Sequence, residues 1–110
     1  MAYDEGLAQR IRDLLEGRGD VDEKKMFGGL AFLVRRHMAC GINGTEFMGR
    51  VGPARYDEAL AEDHAREMDF TGRSLKGYVY VSEAGIAEDS ELARWVGWCV
   101  EHAEGLPPKP

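Results

Sequence analysis

The sequence predicts an α+β fold: an antiparallel sheet, built from a meander plus C-terminal strands, flanked by N-terminal, middle and C-terminal helices. Three observations predict it. Both ends of the chain repeat apolar residues with the 3.6-residue period of a helix. Residues 28–51 instead form short apolar runs separated by charged or turn-forming pairs. Asn43-Gly44, between two such runs, is the strongest hairpin signal in the chain.

The N-terminal helix is predicted over residues 4–16, with Asp4 as its cap. Its apolar stripe is formed by Leu7, Ile11, Leu14 and Leu15. Two glycines then allow the chain to leave the helix, and a short strand is expected at residues 21–26.

The meander is predicted to contain strands at residues 30–34 and 38–42, joined by a two-residue turn at Arg35-Arg36. With Asn43-Gly44 as the central residues of the next turn, Cys40 faces Phe47 on the neighbouring strand. The face predicted to form the core consists of Met38, Cys40, Ile42, Phe47 and Val51.

The opposite sheet face is also predicted to be apolar. It gathers Leu30, Phe32, Val34, Ala39 and Met48, beside His37, Arg50 and Glu46. A sheet face in water normally carries polar residues, so this one needs a helix, a partner chain or a ligand as its cover. We therefore expect a partner surface around Phe32 and Met48 with Arg50 at its rim. The substitution Met48→Asp should then abolish association without unfolding the domain.

The second half of the chain is predicted to hold a helix at residues 53–62, strands at 67–70 and 77–81, and a helix at 90–104. The apolar stripe of the last helix is Leu92, Trp95, Val96, Cys99, Val100 and Ala103. We expect one domain over residues 1–106 and a frayed, proline-rich tail over residues 107–110.

The composition limits the class of protein. Acidic residues outnumber basic ones by 20 to 14, giving a net charge of −6, which opposes direct binding of nucleic acid. Two cysteines do not make a disulfide framework, and no apolar run is long enough for a membrane span. We expect a cytoplasmic protein.

Charge is unevenly distributed along the chain. Residues 1–23 carry −4, residues 24–55 carry +5 and residues 56–110 carry −7. The basic segment either pairs with acidic helices inside the molecule or forms a site for an anion or an acidic partner. The candidate anion site combines Lys25, Arg50, Arg73 and Lys76 around the turn at Gly28-Gly29.

The sequence contains no clear catalytic signature. His37 and Cys40 have a spacing that can serve a metal, but residues three apart on a strand point to opposite faces. Neither cysteine and none of the serines lies in a recognisable nucleophile motif. We predict no catalytic residue, no metal site and no cofactor.

Several segments together resemble one family, the TfoX (Sxy) N-terminal domain family. They are Met1-Ala-Tyr-Asp4, Lys25-Met-Phe-Gly-Gly-Leu-Ala-Phe32, His37-Met-Ala-Cys-Gly41, Met48-Gly-Arg-Val-Gly52, Met68-Asp-Phe-Thr-Gly72, Lys76-Gly-Tyr-Val-Tyr-Val81 and Leu92-Ala-Arg-Trp-Val96. The resemblance implies a bacterial α+β domain, found alone or joined to a C-terminal helical domain. It also implies a link to competence, which full-length members regulate by assisting a cyclic-AMP receptor transcription factor.

The leading hypothesis is thus a stand-alone, non-enzymatic regulatory module that binds a protein partner, such as a transcription factor, and forms a homodimer. The alternative is a small-anion-binding protein or an enzyme that uses the basic residues near the Gly-Gly turn.

Overall fold

The computed structural model describes residues 3–26, 28–70 and 73–107, without the side chains of residues 70 and 73–75. Within these ranges the chain forms a six-stranded antiparallel sheet and three α-helices, which confirms the predicted fold class. The elements are α1 (Glu5–Leu14), β1 (Val21–Met26), β2 (Gly29–Val34), β3 (His37–Asn43), β4 (Glu46–Arg50), α2 (Tyr56–Leu60), β5 (Ala65–Phe70), β6 (Arg73–Val81) and α3 (Asp89–Glu104), with short 3-10 helices at Pro53–Arg55 and Glu83–Ile86. The strand order is β1-β2-β3-β4-β6-β5.

Helix α1 begins where the sequence predicts. The Asp4 carboxylate accepts hydrogen bonds from the backbone N–H groups of Gly6 (2.8 Å) and Leu7 (3.2 Å), which satisfies two free donors of the first turn. The Asp4 N–H donates to the carbonyl oxygen of Gly44 at 2.8 Å, which ties the start of α1 to the β3–β4 turn. The helix ends at Leu14, and Leu14 is 43% exposed. Its predicted place in the buried stripe is therefore wrong.

The hairpin between β2 and β3 has the predicted turn. Arg35 (φ 53°) and Arg36 (φ 71°) are its central residues, and Val34 pairs with His37. Positive φ at both central positions is the geometry of a type I′ turn, whose twist matches that of the flanking strands.

A β-bulge beyond this turn changes the predicted faces. Leu33 pairs with Met38, but Phe32 pairs with Cys40, so Ala39 is an extra residue in β3. Because of this extra residue, the side chains of β2 face the side of the sheet opposite to the predicted one. Five residues predicted for the second face lie in the helix-covered core or face it. They are Leu30, Phe32, Val34, His37 and Ala39. Met38, predicted for the core face, lies on the opposite face.

The hairpin between β3 and β4 has a different register from the predicted one. Asn43 pairs with Glu46 and Ile42 with Phe47, so the two connecting residues are Gly44 and Thr45. Gly44 has a φ of 62°, whereas Asn43 is not among the residues with positive φ. A glycine alone at the first central position fits a type II′ turn, and an Asn-Gly type I′ turn would need both residues at positive φ. The prediction is off by two residues in pairing, which leaves Cys40, Ile42 and Phe47 on the predicted core face.

The main core lies between one sheet face and the helices. It contains Leu7 and Ile11 from α1, Ala59 from α2, and a stripe of α3 formed by Leu92, Trp95, Val96, Cys99 and Ala103. They pack against the sheet residues Leu30, Phe32, Cys40, Ile42, Phe47, Val79 and Val81. A second, smaller cluster on the opposite face contains Ala31, Met38, Met48, Met68 and Tyr80. In the part of the chain that the structure describes, no helix has the length and apolarity needed to cross a membrane.

Glycine is required where β2 and β3 approach each other. A Cβ on Gly29 would overlap the carbonyl oxygen of Ile42 and lie 2.9 Å from its carbonyl carbon. Gly29→Ala should therefore lower the free energy of unfolding by about 1–3 kcal/mol through backbone displacement. In the matched control Gly19→Ala, the new Cβ meets nothing within 4 Å, and a gain of about 0.4–1 kcal/mol is expected from the stiffer unfolded chain. Urea unfolding of both variants tests this; equal stabilities would contradict the register.

Candidate functional site

The residues of the predicted partner surface are separated by the sheet. Phe32 is fully buried in the core beneath the helices, whereas Met48 is fully buried in the cluster on the opposite face. Arg50 is partly buried, and its guanidinium lies 5.5 Å from the centre of the Tyr78 ring. The structure therefore does not bring Phe32 together with Met48, because the bulge at Ala39 places β2 in the other orientation.

The second sheet face is closed within the monomer. Met48 and Met68 are fully buried and Tyr80 is 9% exposed, although every described helix packs on the other side. The Arg66 guanidinium lies over the Tyr80 ring at 4.7 Å and is held there by a bidentate ion pair with Glu46. The hydrogen bond from Arg66 also keeps the pKa of Glu46 below its usual value. The centre of this face is therefore buried without a helix over it, while Met26, Leu33 and Tyr78 around it are partly buried.

The structure does not gather the predicted anion site. Lys25 pairs with Leu30 at the exposed edge of the sheet, on the face that the helices cover. Arg50 lies three strands away, on β4 and on the opposite face. Lys76 is exposed on β6, and the side chain of Arg73 lies outside the described residues. Within the described part, Lys25 and Arg50 therefore cannot act on one small anion.

Two arginines of the basic segment form ion pairs inside the molecule. Arg35 lies 3.5 Å from Asp20, and Arg55 lies 3.1 Å from Glu101 on α3. These contacts agree with the intramolecular explanation of the basic segment. Such partly exposed pairs contribute little stability individually, so their main effect is to neutralise the charge of each arginine together with that of its carboxylate partner.

The two cysteine thiols are unsuited to nucleophilic chemistry. Both are free and fully buried. Burial raises the pKa of Cys40 to about 12, and burial followed by the proximity of Cys40 raises that of Cys99 well above its ordinary value. The thiols therefore stay protonated near neutral pH. Among the residues that the structure describes, no group of three or more His, Cys, Asp or Glu side chains is arranged to hold a metal ion.

Trp98 joins α3 to the segment before α2. The guanidinium of Arg55 lies 4.7 Å from its ring centre and that of Arg94 lies 4.9 Å from it. Trp95 meets Trp98 edge to face at 5.2 Å. Arg94 also donates to Glu62 (2.6 Å) and Glu91 (2.8 Å). This cluster has its charges satisfied internally and fixes the middle of the chain against α3.

A groove between α1 and α3 is the best candidate for a binding site. It has a volume of about 390 Å³. Its walls are formed by Leu14, Leu15, Ala93, Val96, Gly97 and Val100, with Arg18, Glu101 and Glu104 at the rim. Leu14 also borders a neighbouring depression of about 270 Å³ with Arg10, Asp13, Asp89 and Leu92. Among the described residues, Leu14 is the one large hydrophobic residue that is exposed.

Two features of the sequence lie at this groove, although the apolar periodicity does not predict it. Leu14 and Leu15 are adjacent, so they lie about 100° apart around the helix axis; Leu15 is buried and Leu14 is exposed. Gly97 interrupts α3 at an exposed position outside its apolar stripe. Both features lie on the side where the two helices meet.

Met48→Asp is expected to unfold the domain, because the new carboxylate would be buried without a partner. The loss should be about 3–5 kcal/mol. Leu14→Lys is the matched control, since it introduces a charge at an exposed apolar position and should cost about 1 kcal/mol or less. Circular dichroism during thermal unfolding measures both; a folded, stable Met48→Asp variant would show that the second face is open.

His102 is expected to make stability depend on pH. Burial, and then repulsion from Arg50 and His37, lowers its pKa from 6.5. The unfolded chain therefore binds the proton more readily, so this part of the stability is present above pH 6.5 and is lost as the pH falls below it. The His102→Gln variant should show a smaller fall in the free energy of unfolding between about pH 7.5 and 5.5. Identical slopes in urea unfolding would contradict this.

Comparison with known proteins identifies the family. The family model of the TfoX N-terminal domain matches residues 13–103 of the 110-residue chain. No curated protein and no solved structure gives a significant match. The matched span covers the whole sheet and reaches from Asp13 in α1 to Ala103 in α3, so it includes Leu14 and Gly97 on the two sides of the groove. The chain belongs to the TfoX N-terminal domain family.

Proposed function

We propose that this chain is a non-enzymatic regulatory module that acts by binding a protein partner in a competence-related process. The observation that carries this proposal is Leu14, which lies beside an apolar groove and is the one exposed large hydrophobic residue among those that the structure describes. An exposed apolar patch with a polar rim is typical of protein-binding sites.

Two further features support a binding role over chemistry. The groove is lined mainly by aliphatic residues, and its charged lining residues Arg18, Glu101 and Glu104 take part in ion pairs. Both thiols are buried and protonated. Membership of the TfoX N-terminal domain family supports a regulatory role of the kind linked to competence.

The proposal is tested by deleting the gene in its own host and measuring the transcript profile and DNA uptake. Complementation with the wild-type gene should restore both, and complementation with Leu14→Lys should not, because a charge replaces the exposed apolar contact. Gln9→Lys is the matched control, since it adds the same charge to an exposed position of the same helix. A deletion strain with unchanged transcripts and unchanged DNA uptake would refute the regulatory proposal.

A further inference from the structure

The mid-helix glycine of α3, Gly97, is not required for any close contact within the described fold. Glycine inside a helix is less favourable than alanine, because it loses more backbone freedom on folding. Other glycines of this chain are needed for close contacts, as at Gly49, where a Cβ would lie 3.1 Å from the sulfur of Cys99. A Cβ on Gly97 would meet nothing within 4 Å. The open space above Gly97 instead lets another backbone come close to α3.

The space above Gly97 has the shape of a helix-binding groove. From Ala93 to Glu104 the α3 wall is about 17 Å long at 1.5 Å per residue. This length matches three turns of a helix. The small side chains of Ala93 and Gly97 leave space along the α3 wall, and Leu14 and Val100 add larger apolar side chains to the lining. A partner helix with a stripe of large apolar residues would fill it.

The charge around the groove selects the kind of helix. The two segments that form its walls, residues 1–23 and 83–107, carry −4 and −5, whereas the whole chain carries −6. The two arginines nearest the groove are already engaged: Arg10 by Asp89 at 3.0 Å, and Arg18 by Asp20 at 3.0 Å and Glu104 at 2.8 Å. At the rim, Glu101 pairs with Arg55 at 3.1 Å, and its side chain remains 71% exposed. Because Arg18 is paired with two carboxylates, this cluster keeps a net charge of −1, and the groove presents a net negative rim to its occupant.

We propose that the α1–α3 groove binds an amphipathic helix of a partner protein whose apolar stripe is flanked by lysine or arginine. This inference rests on the proposed regulatory function and names the partner class for the same surface. A second copy of this chain is the less favourable occupant, because it would bring two strongly acidic helix layers together.

The test uses two synthetic helical peptides with the same leucine stripe, one flanked by lysines and one by glutamates. Titration into the ¹⁵N-labelled full chain should shift the amides of Leu14, Ala93, Gly97 and Val100 with the lysine peptide only. Its affinity should fall as salt is raised. Equal binding of both peptides, or shifts confined to another surface, would overturn the proposal.

Two pairs of variants locate the site. Gly97→Leu fills the groove from a position with free space, so it should keep the fold and weaken the lysine peptide about tenfold or more. Gln9→Leu adds the same side chain at an exposed position of α1 outside the groove and should bind normally. Glu101→Lys should weaken binding, whereas Asp57→Lys, the same charge change on α2, should weaken it much less. Unchanged affinity in Gly97→Leu would overturn the proposal.

Sedimentation of the unbound chain examines the competing occupant. The proposal expects Gly97→Leu and the wild type to have the same oligomeric state, and a dimer that Gly97→Leu dissociates would overturn it in favour of a second copy. The complementation assay separates the two proposals. If Gly97→Leu restores the deletion strain, the groove proposal fails and the regulatory function stands. If the deletion has no effect, the regulatory function fails, and peptide binding at Gly97 still decides the groove.

Discussion

The close approach of α3 to strand β4 determines how the rest of the molecule is arranged. A Cβ on Gly49 would lie 3.1 Å from the sulfur of Cys99, and one on Gly52 would lie 2.6 Å from Cε1 of His102. These two glycines let the C-terminal half of α3 lie directly on β4 and on the segment that follows it. Because the apolar stripe of α3 packs against the sheet, α1 contacts only the side of α3. Ile11 and Leu15 are buried in the process, and Leu14 remains outside.

The same arrangement separates charge between the layers. The walls of the groove come from the most acidic parts of the chain, while the +5 segment forms β2, β3 and β4 and the turns around them. Internal ion pairs neutralise arginines at the boundary, as between Arg55 and Glu101 or Arg18 and Glu104. Each such pair cancels one positive and one negative charge, so the excess of carboxylates on the helix side is unchanged. The acidic character of this side thus follows from the fold and not from composition alone.

The sequence predicted the fold well because its signals were local. The sequence pattern placed α1 and α3 well, and the Asp4 cap and the Arg35-Arg36 turn were found at the predicted residues. The helix predicted at residues 53–62 is a 3-10 turn followed by the short α2, and β6 begins at Arg73, before the predicted strand at 77–81. The sheet faces were predicted poorly because they depend on one extra residue. No turn sequence or glycine marks the bulge at Ala39. The bulge exchanges the two faces of β2 relative to the prediction, so Phe32 lies in the main core. The predicted partner surface required Phe32 and Met48 on one face, and the bulge places them on opposite faces.

A closed second face also explains why the helix side is the better place for a partner. Its apolar centre is made of methionines and Tyr80, which flexible side chains and Arg66 can cover without an added helix. Opening that face would require breaking the bidentate pair between Arg66 and Glu46 and exposing residues that are now buried. The α1–α3 groove needs no such rearrangement, because Leu14 and the space above Gly97 are already accessible in the monomer. A partner would bind there at a lower cost in free energy, using a surface that the fold leaves unfilled.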